Sequence, residues 1–234
     1  MQLWLCPLLA FLLGSIPFGL IIAKAKGINI REHGSGNIGA TNVLRVIGKK
    51  YGISCLFLDA LKGFIPVVIA ISVIRFEGMK NPMSITALAP YTQEFPMLTA
   101  QMFQVLTGLC AVLGHNYSPW VGFKGGKGIA TSAGVFIALM PAAIVILIAV
   151  WLLVFFVSRY VSLASIIASA VLPLVMLWGS WFHGKIQNGT WNKPLFAFTV
   201  TIAVLAVWKH RSNIGRLRNG TEHRFTRKPK SADV

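Results

Sequence analysis

The sequence predicts an all-α polytopic membrane protein: seven transmembrane helices forming one domain over residues 1–234, N-terminus outside and C-terminus cytoplasmic. Three observations carry this. Charged side chains make up 12% of the chain, about half the share of an ordinary soluble domain. Apolar stretches recur along its whole length, and ~20 apolar residues suffice to cross a bilayer. Lys and Arg number 22 against 6 Asp and Glu, and they gather in the connectors.

The apolar stretches run over 3–23, 51–74, 99–114, 129–157, 161–182 and 194–208. The first has no basic residue before Lys24 and no clear small-residue cleavage site, so it reads as a retained anchor and not a removed signal peptide. Basic residues cluster at 24–50, at 124–127 and from Lys209 to Lys230, and short basic loops face the cytoplasm. Six simple crossings would strand the last cluster on the wrong side. The stretch 129–157 is ~44 Å long as one helix, more than a hydrocarbon core of ~30 Å needs. Pro141 lies near its middle, and proline removes a helix hydrogen bond. Division at Met140-Pro141 gives seven crossings and leaves only Arg75, Lys80, Lys185 and Lys193 of the Lys and Arg residues outside. Residues 75–98 then form an external connector with a short helix, and 225–234 a disordered basic tail. Cys6, Cys55 and Cys110 lie in or near apolar stretches without metal-like spacing, as packing residues do.

Three polar clusters fall on the cytoplasmic face. In "REHGSGNIGATNVLR", 31–45, the glycines permit close backbone approach. Ser35, Asn37, Thr41 and Asn42 offer neutral hydrogen bonds, and Arg45 can fork onto an anion. In "GFKGGKGIATSAG", 122–134, a glycine-rich turn feeds a helix start, where free backbone N–H groups favour anions. Lys124 and Lys127 add charge there, although lysines beside a membrane also serve as topology signals. The stretch is no nucleotide P-loop, because Val121 stands where the first glycine belongs and Gly128 follows Lys127. In "KHRSNIGRLRNGTEH", 209–223, His210 and Asn213 share a helical face beside Arg211, Arg216 and Arg218.

Asp59 and Lys62 are three apart inside the second stretch, where ionisable groups are costly and usually paired. Their expected role is mutual pairing that supports a polar cavity. Ser158, Arg159 and Ser162 form a smaller group that could complete that cavity. Glu32, Asp59, Glu222 and Asp233 are too scattered for a paired-metal site, so neither metal nor cofactor is expected. Ser35 lacks the glycines of a nucleophile elbow, since His33 and Asn37 flank it two residues away. The residues leave two classes open. One is a reaction between two phosphate-bearing molecules, one of them lipidic. The other is a transporter for a phosphorylated solute, which broken helices with Gly-rich ends can also build. A nucleic-acid partner is disfavoured because the net charge of +16 follows the topology.

"GSIPFG" at 14–19, "GSGNIGATNVLR" at 34–45, "GHNYSPWVGFKGGKGIATSAG" at 114–134 and "HRSNIGRLRNGTE" at 210–222 together resemble the bacterial acyl-phosphate:glycerol-3-phosphate acyltransferase family (PlsY). The resemblance implies a seven-helix inner-membrane enzyme that makes lysophosphatidic acid for phospholipid synthesis, without direct use of acyl-CoA or acyl carrier protein. Partners would be acyl phosphate, glycerol 3-phosphate, membrane lipid and the upstream acyl-phosphate-forming enzyme. It places the family's essential Ser and Arg on Ser35 and Arg45, and its phosphate loop on Gly125, Gly126, Lys127 and Gly128. Its His and Asn fall on His210 and Asn213, and its structural Glu on Glu222. The acyl chain is expected between helices near the cytoplasmic leaflet, with "GSIPFG" shaping the groove. The His-x4-Asp signature of the other large group of glycerol phosphate acyltransferases is absent.

Overall fold

A computed structural model describes residues 2–225, of which ten segments are α-helical. Residues 226–234, and with them nearly all of the basic tail, lie outside the described residues.

The first apolar stretch is two helices, α1 (Gln2–Ser15) and α2 (Phe18–Lys24), parted at Ile16-Pro17. Pro17 has no N–H to continue the ladder, so carbonyls before it lose their helical partners. Other segments supply donors: Ser118 Oγ bonds the Ser15 carbonyl at 2.6 Å and Lys62 Nζ bonds the Ile16 carbonyl at 2.7 Å. Trp120 Nε1 donates to Ser15 Oγ at 2.8 Å. The motif "GSIPFG" is thus a stabilised helix break, and it does not line the cavity described below.

After the short helix α3 (Ala40–Val46) comes α4 (Lys49–Val73), the long helix at the centre of the bundle. It lies against α6 (Ile129–Leu139), and glycines on both helices allow the approach. A Cβ on Gly134 would fall 1.9 Å from the Ala60 carbonyl oxygen, and one on Gly63 2.2 Å from that of Thr131. In a membrane such small residues let backbones meet where no hydrophobic force drives them together. The same device brings α1 against α5 (Met97–Asn116), through Gly14 on Ala111 and Gly114 on Phe11.

The long fourth stretch divides where the proline predicts: α6 ends at Leu139 and α7 (Pro141–Ser158) begins at Pro141. The division is uneven, 11 residues against 18. Among the described residues, five helical spans suffice by length and composition to cross a membrane: Leu3–Lys24, Lys49–Val73, Met97–Val121, Pro141–Ser158 and α8 (Val161–Phe182). Both α6 and α9 (Lys193–Lys209), with 17 residues, are shorter. Only Ala143 and Leu147 of α7 are buried, and its exposed residues include Val145, Leu153, Phe156 and Val157. Such a helix needs lipid around it.

The connector after α4 carries a 3-10 turn at Thr86–Tyr91 and a parallel ladder of two short strands, β1 (Ile74–Arg75) and β2 (Gln93–Glu94). It is tied to the bundle, since Thr92 Oγ1 donates to the Ser72 carbonyl at 2.9 Å and Gln104 Nε2 to that of Ile74 at 2.6 Å. The chain closes with α10 (Arg211–Arg218), beyond which Phe225 returns to the α7–α8 elbow. There its N–H bonds the Arg159 carbonyl at 2.9 Å and its ring meets Phe155 edge-on.

Candidate functional site

A cavity of about 490 Å³ opens where the three polar clusters meet. The first cluster contributes Ser35, Asn37, Thr41, Asn42 and Arg45, the second Lys127 and Gly128, the third His210, Asn213 and Glu222. Ser162 and Asp59 join them. One wall is apolar, with Phe136, Leu147, Trp151 and Leu172 on α6, α7 and α8. Lys124, Gly125, Gly126, Lys62, Ser158 and Arg159 are not on its lining.

The 31–45 segment is held in shape by one buried side chain. Asn42 Nδ2 donates to the carbonyls of His33 at 3.0 Å and Asn37 at 2.9 Å, and lies 3.3 Å from that of Ile30. Its Oδ1 accepts from the Ser35 N–H at 2.9 Å. Both ends of the amide are therefore engaged inside the loop, and Asn42 shapes the site without a group to spare for a ligand. Gly34, at φ +61°, passes so close that a Cβ would sit 2.3 Å from Asn42 Oδ1. Asn37 Oδ1 accepts from the Gly39 N–H at 2.8 Å. The Ser35 hydroxyl and the Arg45 guanidinium line the cavity without a hydrogen bond to another described residue, so both are free to take a ligand.

In the glycine-rich loop the amides divide into two sets. Gly125 and Gly126 donate to the carbonyls of Asn116 at 3.2 Å and His115 at 3.1 Å, so their N–H groups are occupied. Their lack of side chains serves packing, because a Cβ on Gly125 would lie 2.0 Å from the His115 carbonyl oxygen. Gly128 adopts φ +83° and starts α6, whose first paired amide is Ser132 N, 2.7 Å from the Gly128 carbonyl. The amides just before Ser132 have no helical acceptor and face the end of the helix dipole that attracts anions. Lys124 is exposed, and its carbonyl accepts from Arg31 Nη2 at 2.8 Å.

Lys127 and the third cluster form one network. The Lys127 ammonium donates to Asn213 Oδ1, and Asn213 Nδ2 donates to Glu222 Oε1 at 2.6 Å. Ser162 Oγ shares that oxygen at 2.8 Å, while Arg216 Nε binds Oε2 at 2.7 Å. Burial pushes the Lys127 ammonium down to about 8. Burial works against the Glu222 carboxylate, yet hydrogen bonds from Asn213, Ser162 and Arg216 hold it below the usual range. His210 is buried at the end of α9 with Nδ1 2.7 Å from the Ala206 carbonyl. A carbonyl only accepts, so the ring proton sits on Nδ1 and Nε2 keeps its lone pair. Burial, reinforced by the Lys127 charge, takes its pKa down to about 4.

Asp59 and Lys62 pair as expected, 2.7 Å apart. Among the polar lining residues, His115, Ser165 and Ser169 lie outside the three sequence clusters and were not anticipated. The serines were legible in principle, since they follow Ser162 at helical spacing on α8. His115 offered only a lone histidine at a helix end.

The fold and the site define a multi-pass membrane protein with a basic, donor-rich cavity. Residues 4–220 match the family described as glycerol-3-phosphate acyltransferase. The glycerol-3-phosphate acyltransferases of Geobacter metallireducens and Aquifex aeolicus are 45% and 44% identical, each aligned over 92% of this chain and 94% or 95% of their own lengths. Two crystal structures of PlsY, an integral membrane glycerol 3-phosphate acyltransferase, match over 97% of this chain and 96% of theirs. The glycerol 3-phosphate form is 39% identical with a TM-score of 0.77, and the lysophosphatidic acid form 38% identical at 0.74. This chain belongs to the glycerol-3-phosphate acyltransferase family.

Proposed function

We propose that the protein transfers a fatty acyl group from acyl phosphate to the sn-1 hydroxyl of glycerol 3-phosphate, releasing lysophosphatidic acid and inorganic phosphate. The whole chain acts as one domain in the bacterial inner membrane. It has seven crossings, an outside N-terminus and a cytoplasmic cavity, as its basic connectors favour. The observation that carries this reading is the meeting of Arg45, Lys127 and the unpaired first amides of α6 around one cavity with an apolar wall. Two phosphates and an acyl tail need that combination.

In the reaction the hydroxyl oxygen attacks the acyl carbonyl carbon, and the bond from that carbon to the phosphate oxygen breaks. Acyl phosphate is already activated, so positioning and charge neutralisation supply much of the rate. Neither a metal nor a covalent acyl-enzyme takes part. The α6 amides, Lys127 and Arg45 hold phosphate oxygens. Ser35 and the Nε2 of His210 orient glycerol 3-phosphate; its hydroxyl proton passes either to Nε2 or directly to a substrate phosphate oxygen, and leaves with the phosphate. Asn213 and Ser162 act through Glu222 and Lys127, because the hydrogen bonds they make are within the protein. Thr41 and Asn37 complete the polar rim. An upstream acyl-phosphate-forming enzyme supplies the donor.

The test is purified protein with palmitoyl phosphate and labelled glycerol 3-phosphate. Lysophosphatidic acid is the expected product, and its absence from folded protein overturns the reading. A reporter fused after Met140 should behave as external; a cytoplasmic signal there overturns the topology.

A further inference from the structure

Beneath the glycine loop lies a buried polar group that the acyl transfer above leaves without a task. Asp59 and Lys62 of α4 and His115 of α5 are all buried. Lys62 has evident work, since it donates to the freed Ile16 carbonyl and pairs with Asp59. Asp59 has a second neighbour as well. Nδ1 of His115 lies 3.6 Å from the same Oδ1 that faces Lys62, within ion-pair range, and this buried Nδ1 has no hydrogen bond to any described residue. The far edge of the imidazole meets the loop: a Cβ on Gly126 would fall 2.1 Å from Nε2. The backbone of His115 also accepts the Gly126 N–H at 3.1 Å. One residue therefore supports the loop by main chain and side chain together, at the step immediately before Lys127.

We infer that Asp59 and His115 form a positioning pair for the phosphate loop. The carboxylate directs Nδ1–H of His115, and the ring sets the height at which Lys127 and the α6 amides meet a phosphate. Asp59 thereby acts on the loop through His115, in addition to neutralising Lys62. The arrangement accounts for glycine at 126, because any side chain there would displace the imidazole. It also accounts for an imidazole at 115: an apolar ring could fill the space, but it would offer Asp59 no donor. Both residues line the cavity, so a small rotation of the ring moves the loop relative to the ligand.

This inference rests on reading the loop as a phosphate site, and the experiment separates the two. Full-length wild type, His115→Gln and the charge-free double variant Asp59→Leu/Lys62→Met are purified and assayed with palmitoyl phosphate and glycerol 3-phosphate. Thermal unfolding is followed in parallel. An inactive wild type would sink the acyltransfer reading itself. With active wild type, His115→Gln should raise the KM of at least one substrate about 10-fold or more, while kcat stays within about 3-fold. The double variant should show the same rise, because it removes the director of the ring without leaving an unpaired buried charge. Wild-type KM values in His115→Gln overturn the inference, whether or not its unfolding temperature falls. So do wild-type KM values in the double variant, since Asp59 would then serve Lys62 alone. Should the double variant not fold, His115→Gln decides by itself.

Discussion

The Lys127 ammonium donates to the side-chain oxygen of Asn213, a residue 86 positions further along the chain. That bond joins the glycine loop to α10 and leaves the ammonium in the cavity. Lys127→Ala should raise the KM of a phosphate substrate about 10-fold or more while membrane insertion is unchanged, since charge-assisted bonds are worth about 1.5–3 kcal/mol. The ammonium is charged below its pKa of about 8 and neutral above it. Wild-type kcat/KM should therefore fall as pH rises through about 8, and Lys127→Arg should move that limb to higher pH. An unchanged alkaline limb in the arginine variant would rule out Lys127 as its source.

His210 gives the opposite kind of pH signature. With its pKa taken down to about 4, the ring is neutral throughout the physiological range. The kcat/KM profile should show no inflection near the ordinary histidine value of about 6.5. His210→Ala should lower turnover at saturating glycerol 3-phosphate if Nε2 receives the hydroxyl proton. Near-normal turnover in that variant would assign the proton to a substrate phosphate oxygen.

Two glycines of one loop should respond differently to alanine. Gly128 has φ +83°, and an added Cβ would lie 2.7 Å from Asn116 Oδ1. Gly122 has φ +62° but open space around it. Backbone strain alone costs each about 1–2 kcal/mol, and only Gly128 adds a clash at the start of α6. Gly128→Ala should lose most activity and Gly122→Ala little, measured at equal amounts of folded protein. Equal losses would show that the clash at Gly128 is relieved without moving the helix start.

Glu222 links α8, α10 and the segment beyond it. Glu222→Gln removes the ion pair with Arg216 and weakens the grip on Ser162 and Asn213. Because the carboxyl pKa is lowered on folding, its stabilisation is present above the unfolded carboxylate value and is lost as pH falls through the folded one. Wild type should unfold at a higher temperature than the variant at neutral pH, and the gap should close on acidification. A gap that persists in acid would mean that shape, not charge, is what the glutamine disturbs.

Much of this architecture was legible because a few residues carry unambiguous chemistry. Pro141 announced a helix end, and the density of Gly, Asn and basic residues marked three loops that meet at one cavity. The stretch 129–157 divides unevenly, because the glycine loop keeps the start of α6 from extending further back. Two glycines before Lys127 favour it over Lys124 in sequence, and the fold turns Lys127 into the cavity and Lys124 to the surface. "GSIPFG" suggested a groove, whereas the carbonyls freed by Pro17 are what Ser118 and Lys62 satisfy. His115 was invisible for a related reason: its partners are 56 residues upstream and 11 downstream, and neither spacing is a motif.

The apolar wall stands largely on α7 and α8, while the cationic and amide groups sit on the glycine loop, at the start of α6 and in the last turn of α3. Under the proposed acyl transfer, phosphates and acyl tail meet largely different parts of the chain, joined along α6 and at the Ser162–Glu222 bond. Selection can remodel one half while the other is left alone. Within one family, tail preference can drift with the fatty acids of the host even as the handling of phosphate stays constant.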